Sequence, residues 1–289
     1  MEDNGLVKYY NSKGWAKHLL DANKNPEFYK LAKDLMKFNV MNIPTSGNYY
    51  LKKASAKETG AEILLSQIYH KAGFDTALYT PVGKNGFYGY VLSNDVVQNK
   101  NIQNARIFTF LNSKKAYEGI EDDNIKNQII NNIFYMPQTK QEEHTNYQDF
   151  ITSEAMSSLI QMRVFDVASF NPDRHPNNYQ FEIIDNKVVG LILFDYGMSG
   201  QKYEKNNLAY YNEFSLDKLT RQQFVECIKE NENVQDFVSL QECAENIGGI
   251  DVVQSARDIT EDIGYKFSSK FVSTIAKSYD DMAESLIQL

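Results

Sequence analysis

Asp173, Asn178 and Asp195 are the residues of this chain whose types and spacing could do chemistry. The first two lie five positions apart in Asn171-Pro172-Asp173-Arg174-His175-Pro176-Asn177-Asn178. The third follows 22 positions after the first (195 − 173), in Leu193-Phe194-Asp195-Tyr196-Gly197. Phosphoryl transfer of the protein-kinase kind uses such a trio. One carboxylate accepts or orients the proton of the acceptor hydroxyl, one amide oxygen holds a metal ion, and a second carboxylate bridges metal and nucleotide phosphates. Taken singly the pieces are ordinary, since Asn-Pro-Asp is common turn chemistry and an aspartate after a strand is a frequent cap. Their order and spacing carry the reading.

Several elements must position these groups. Tyr179–Ile184 and Val188–Phe194 read as strands joined at Asp185-Asn186-Lys187, a hairpin between the first two groups and the third. Residues 151–169 carry Met156, Leu159, Ile160, Val164 and Val167 on one helical stripe that ends just before Asp173. Further upstream, residues 14–37 predict two short helices separated by the Asn23-Lys24-Asn25-Pro26 turn. Phe38–Ile43 and Tyr49–Lys52 predict strands around Pro44–Asn48, and 56–72 predicts a helix that Gly73 ends. Tyr79–Val82 and Phe87–Leu92 predict strands around a Gly83–Gly86 turn, and 216–289 repeats a helical pattern. The expected fold class is α+β: a bilobal protein-kinase-like fold, with a small mixed α/β N-lobe over 1–95 and a larger, mainly helical C-lobe over 96–289.

A kinase-like site also needs a cation on the nucleotide phosphates and a carboxylate to position it. Lys52 and Lys53 end a predicted strand, and alternation lets only one of them face a site; Lys52 is chosen. Glu62, in the following helix, is the candidate partner. The bland reading of both as solvated surface charges stands beside this one. Ser46 and Gly47, between the predicted strands, could cover phosphates with backbone N–H groups, although an ordinary hairpin turn fits equally well.

These residues resemble the HipA-like kinases over roughly 45–200. The likeness rests on Asn-x-Asp-Arg-His-x-x-Asn at 171–178, Phe194-Asp195 after a hairpin, Tyr49-Tyr50-Leu51-Lys52 with Glu62-Ile63-Leu64-Leu65, and Tyr90-Val91-Leu92-Ser93-Asn94-Asp95. The resemblance implies an ATP- and Mg2+-dependent kinase. Asp173 would then be the base or substrate-orienting group, and Asn178 and Asp195 the magnesium ligands. Lys52 would contact nucleotide phosphates, with His175 nearby. Leu92, Asn94 and Asp95 would form the hinge, where backbone meets adenine and the aspartate reaches the ribose. Ser46-Gly47 is similar to the phosphate loop that this family modifies on its serine, though only six positions separate Ser46 from Lys52. The acceptor expected is a Ser or Thr hydroxyl on a protein. A lipid or small-molecule hydroxyl is the alternative, and a nucleotide-binding scaffold without turnover is a second one.

Composition narrows the partners. A 289-residue chain with 42% hydrophobic and 13% aromatic residues is that of a folded protein of one large or two modest domains. A formal net charge of −8 argues against a broad nucleic-acid-binding surface. No apolar run approaches the ~18 residues of a membrane span, and the N-terminus has no apolar signal core. A cytoplasmic location is expected, with secretion by a non-classical bacterial route left open. Cys227 and Cys243 have no metal-ligand spacing and are expected as free thiols. His18, His70 and His144 are scattered and expected to be structural.

Overall fold

The computed structural model describes residues 6, 17–36, 47–84, 87–97, 100–104, 151–171, 174, 178–185, 187–197, 199–200, 210–211, 218–219, 221–230 and 237–288. Ser46, Asp173 and His175 lie outside these residues, as does the predicted strand 38–43. In chain order the numbered elements are β1 (His18–Leu20), α1 (Pro26–Met36), β2 (Tyr49–Lys53), α2 (Ala56–Lys71), β3 (Tyr79–Lys84), β4 (Phe87–Asn94), β5 (Ile102–Asn104), α3 (Ser153–Ala168), β6 (Tyr179–Ile184), β7 (Lys187–Leu193), β8 (Tyr210–Tyr211), β9 (Lys218–Leu219), α4 (Arg221–Glu230), α5 (Leu240–Gly248), α6 (Val252–Ile263) and α7 (Ser269–Ile287), with a further two-residue strand at Asp75–Thr76 between α2 and β3. Among the described residues no helix is long and apolar enough to cross a membrane. The chain divides into two compact units: Met1–Asn99 with Phe194–Gln201 and Ile250–Ala276, and Lys100–Leu193 with Lys202–Gly249 and Lys277–Leu289.

The first unit is built on an antiparallel sheet of order β1-β2-β4-β3. Its register sorts the side chains. Leu20, Tyr49, Leu92, Leu51 and Val82 fall on one face and form a buried cluster with Ala32 and Met36 of α1. Burying each such large apolar side chain stabilises the unit by about 1.5–3 kcal/mol. Lys52, Tyr50, Val91, Ser93 and Tyr79 fall on the opposite face by the same alternation. That face meets α2, whose residues from Thr59 to Tyr69 are all buried. Helix α2 starts at a capping box, in which Ser55 Oγ accepts from Glu58 N at 3.3 Å and Glu58 Oε2 accepts from Ser55 N at 2.5 Å. It stops before Gly73, whose φ of 91° suits glycine.

The first of the two helices predicted over 14–37 is instead an edge strand, β1, which pairs with β2. Three residues cannot repay helix nucleation, whereas an open edge of β2 offers each of them a ladder and a buried site for Leu20. The second helix forms as α1.

In the second unit, β5, β6 and β7 pair antiparallel, with β6 and β7 joined at Asp185 in left-handed conformation (φ 50°). Helix α3 packs on β7 and is N-capped by Thr152, whose hydroxyl accepts from Ala155 N at 3.2 Å. Tyr279 stacks edge-on to Phe165 at 5.8 Å and its hydroxyl pairs with Ser169 at 2.8 Å, tying α7 to the end of α3.

Candidate active site

Lys52 of β2 lies within ion-pair reach of two carboxylates in the first unit. Its Nζ pairs with Glu62 Oε1 on α2, and stands 3.0 Å from Asp195 Oδ1. The pairing follows from the register, because alternation turns Lys52 toward α2 and leaves Lys53 exposed. Glu62 is fully buried. Its other oxygen accepts from Tyr196 N at 2.9 Å, so one side chain holds both Lys52 and the backbone after Asp195. Gly197 makes this approach possible: a Cβ there would meet Glu62 Oε1 at 3.3 Å and Glu58 at 3.4 Å.

Asp195 adopts a left-handed backbone (φ 63°), which aspartate tolerates better than most residues. Its N–H donates to Tyr79 Oη at 3.1 Å. Tyr196, the next residue, is buried, pairs its hydroxyl with Thr76 Oγ1 at 2.6 Å and packs on Tyr69 at 4.9 Å. The segment that carries Asp195 is thereby pinned on both sides of the carboxylate.

The electrostatics follow from burial and charge. Desolvation pushes the Glu62 carboxyl up to about 7, against the pull of Lys52. Burial opposes the Lys52 ammonium, but Glu62 and Asp195 outweigh it and hold that pKa above the ordinary lysine value. Tyr79 is raised well above the usual phenol range, by desolvation first and then by the charges of Glu62 and Asp195, so its hydroxyl stays protonated. Lys17 is shifted down although the residue as a whole is exposed. Desolvation of its ammonium comes first and the charge of Lys52 second, while Asp195, Glu62 and Asp95 pull the other way.

The hinge candidates have definite places. Leu92 sits in β4, between β2 and β3, with its side chain in the α1-side core. Both flanks of that strand are paired, so the Leu92 peptide groups are taken up by the ladder. Asn94 Oδ1 accepts from Leu78 N at 2.9 Å. Asp95 donates its N–H to Asn48 O at 2.9 Å and its carboxylate accepts from Val97 N at 3.3 Å. Desolvation raises the Asp95 carboxyl, against the Val97 N–H and the charge of Lys17. Gly47, with φ 137°, precedes β2 in a conformation that favours glycine.

In the second unit a buried ion pair frames the segment 171–178. Asp166, near the end of α3, accepts from Arg174 Nε at 3.2 Å and from Asn171 Nδ2 at 2.9 Å. Arg174 Nη1 reaches Asn178 O at 2.8 Å, and Arg163 Nη1 reaches Arg174 O at 2.8 Å. Asp166, Arg163 and Arg174 are all buried. The carboxylate therefore holds Asn171 and Arg174 directly, and Asn178 through Arg174. Sequence reasoning missed Asp166, Arg163, Tyr79, Tyr196 and Lys17. A signal existed for the first two: Arg163 and Asp166 interrupt the otherwise apolar end of α3 just before the Asn171 turn.

In the first unit Asp195 offers a carboxylate with 42% of its side chain exposed. In the second unit Asn178 is buried. Carboxylate and amide oxygens are each hard donors of the kind that magnesium takes. Among the described residues there is no group of three or more His, Cys, Asp or Glu arranged to hold a metal.

No family model matches the sequence. No curated protein matches it either. Among solved structures, the chain is similar to the proinflammatory kinase CtkA of Helicobacter pylori, at 14% identity and a TM-score of 0.50, over 84% of this chain and 86% of that one. It is also similar to HipA of the Shewanella oneidensis MR-1 toxin–antitoxin system, solved with HipB and operator DNA, at 13% identity and a TM-score of 0.43, over 82% of this chain and 57% of that one. At such identities the likeness to CtkA shows the fold: this is a mixed α/β chain with the fold of a kinase.

Proposed function

We propose that the chain is an ATP- and magnesium-dependent phosphotransferase of the HipA-like type, acting on a Ser or Thr hydroxyl of a protein. The observation that carries the reading is the arrangement of Lys52 between the buried Glu62 and the partly exposed Asp195. A lysine held this way is a fixed cation beside a carboxylate suited to magnesium, which is what a triphosphate tail requires. The motif at 171–178 and the kinase fold support it.

Each residue has a role in this reading. Lys52 binds and orients nucleotide phosphates, and Glu62 fixes the lysine. Asp195 and Asn178 hold magnesium, which when bound neutralises phosphate charge. Asp173, which in sequence lies between the anchored Asn171 and Arg174, accepts or orients the proton of the acceptor hydroxyl. By the resemblance, His175, Ser46 and Gly47 would contact the phosphates and the hinge of Leu92, Asn94 and Asp95 the nucleoside, with Asp95 on the ribose; the peptide groups of Leu92 are held in the sheet, which leaves that role to Asn94 and Asp95. The lobes are read as 1–95 for the nucleotide phosphates and 96–289 for the catalytic segment, although Phe194–Gln201, which carries Asp195, groups with the first unit.

The test is incubation of purified protein with γ-labelled ATP and magnesium, beside Asp173→Ala and Asp195→Asn, followed by phosphosite mapping. Label on the wild type and on neither variant is expected, and its position tests Ser46. Equal labelling by both variants would refute the assignment. Phosphorylation of a lipid panel in place of protein would move the acceptor, and nucleotide binding with no turnover on any acceptor would make the chain a scaffold.

A further inference from the structure

Tyr79 meets both the lysine of the site and the backbone that carries Asp195. Its strand, β3, sets it opposite Ser93 of β4, on the sheet face that holds Lys52. The entry to that strand is fixed one residue earlier, where Leu78 N donates to Asn94 Oδ1 at 2.9 Å. Tyr79 is buried, its hydroxyl accepts the Asp195 N–H at 3.1 Å, and its ring centroid lies 5.6 Å from Lys52 Nζ. The same ring stands edge-on to Tyr196, at 6.5 Å between centroids. One stiff side chain thus touches Lys52 and two consecutive residues of the segment that delivers the carboxylate.

The hydroxyl acts where the backbone most needs fixing. Asp195 is left-handed, a conformation that costs an L-residue free energy and persists only where its surroundings impose it. It also lies beyond Leu193, the end of β7, so no ladder sets its dihedrals. A bond to its N–H fixes the plane of the peptide that precedes it, and with that plane the direction in which the side chain leaves the backbone. The 3.0 Å approach of Asp195 Oδ1 to Lys52 Nζ depends on that direction. Removing the hydroxyl lets the backbone relax toward a commoner basin and swings the carboxylate. The bland alternative is a core tyrosine that merely satisfies its own hydroxyl; that role would be blind to a metal ion.

We propose that Tyr79 is a positioning residue, whose hydroxyl acts through the Asp195 N–H to present the Asp195 carboxylate to nucleotide-bound magnesium. The proposal rests on the nucleotide-binding reading above and deepens it. Calorimetric titration with a non-hydrolysable ATP analogue, in magnesium and again in EDTA, tests it on wild type, Tyr79→Phe, Asp195→Ala and the double variant. The quantity read is the magnesium gain, the ratio of the two affinities. In Tyr79→Phe the gain is expected to fall about tenfold while the magnesium-free affinity holds. Added to Asp195→Ala, Tyr79→Phe should lower the gain no further, because no carboxylate is left to position. An undiminished gain in Tyr79→Phe, whatever happens to the magnesium-free affinity, would overturn the proposal and leave Tyr79 a packing role. A further tenfold loss in the double variant would also overturn it, since the hydroxyl would then act by a route other than Asp195. A wild type with no magnesium gain, or with no binding at all, would remove the nucleotide and metal reading itself, and this proposal with it.

Discussion

Replacing Glu62 by glutamine probes the buried carboxylate with little change of shape. The amide keeps an oxygen for the Tyr196 N–H but cannot ionise, and Lys52 retains Asp195. In the wild type, burial raises the Glu62 carboxyl from 4.5 to about 7. The folded state thus holds this proton more tightly than the unfolded chain. Its contribution to stability is fully present below about pH 4.5 and is lost as pH rises through 7. A gap of about 2.5 pH units corresponds to about 3 kcal/mol, most of which falls between pH 5 and pH 8. Glu62→Gln removes that term. Whatever the variant costs at pH 5, it should cost roughly 2–3 kcal/mol less at pH 8. Urea unfolding followed by far-ultraviolet circular dichroism at the two pH values measures this, with the wild type beside the variant. A difference between variant and wild type that is the same at both pH values, or that grows at pH 8, would refute the account of Glu62 as a desolvated carboxylate.

Asp166→Ala should destabilise the second unit by about 3–5 kcal/mol, because it strands Arg174 without its buried partner; a loss under about 1 kcal/mol in urea unfolding would deny the clamp. Gly197→Ala should cost about 1 kcal/mol, since its Cβ meets Glu62 and the capping-box residue Glu58, neither of which can withdraw easily. A melting temperature equal to wild type would show that the contact gives way. Cys243 is buried and its thiol is pushed up to about 12, by desolvation first. Alkylation at pH 8, read by peptide mass spectrometry, should be at least about a thousandfold slower in the native protein than in urea.

Much of the first unit was readable from local pattern. Strand alternation separates Lys52 from Lys53, and helical spacing with the Gly73 stop marks α2 to within a residue. The β6–β7 hairpin and α3 were equally local. Strand β1 was not, because Leu19-Leu20 fits a helix or a strand over so short a run, and the edge of β2 decides between them. Asp166 was hidden for a related reason. Three positions after Arg163 it reads as a solvated helix pair, and only the return of the chain at Arg174 buries it. Tyr79 and Lys17 carry no motif at all. Their positions depend on ladder register and on Phe194 and Asp195 arriving from more than a hundred residues away. Where Asn94 and Leu92 come to lie was likewise a matter of register, since β4 proved to be an inner strand flanked on both sides.

The order of that same sheet bears on how the protein behaves when crowded with copies of itself. Its two outer strands are β1 and β3. An outer strand is a template on which a foreign strand can grow, unless its row of peptide groups is short or broken. β1 is three residues long and is preceded by a lysine. β3 carries Pro81 opposite Val91, and a proline has no N–H to give a newcomer. Both margins are thus poor seeds for edge-to-edge growth, and the residues that make them so lie in the same strands that carry Tyr79 and bring Lys17 alongside Lys52.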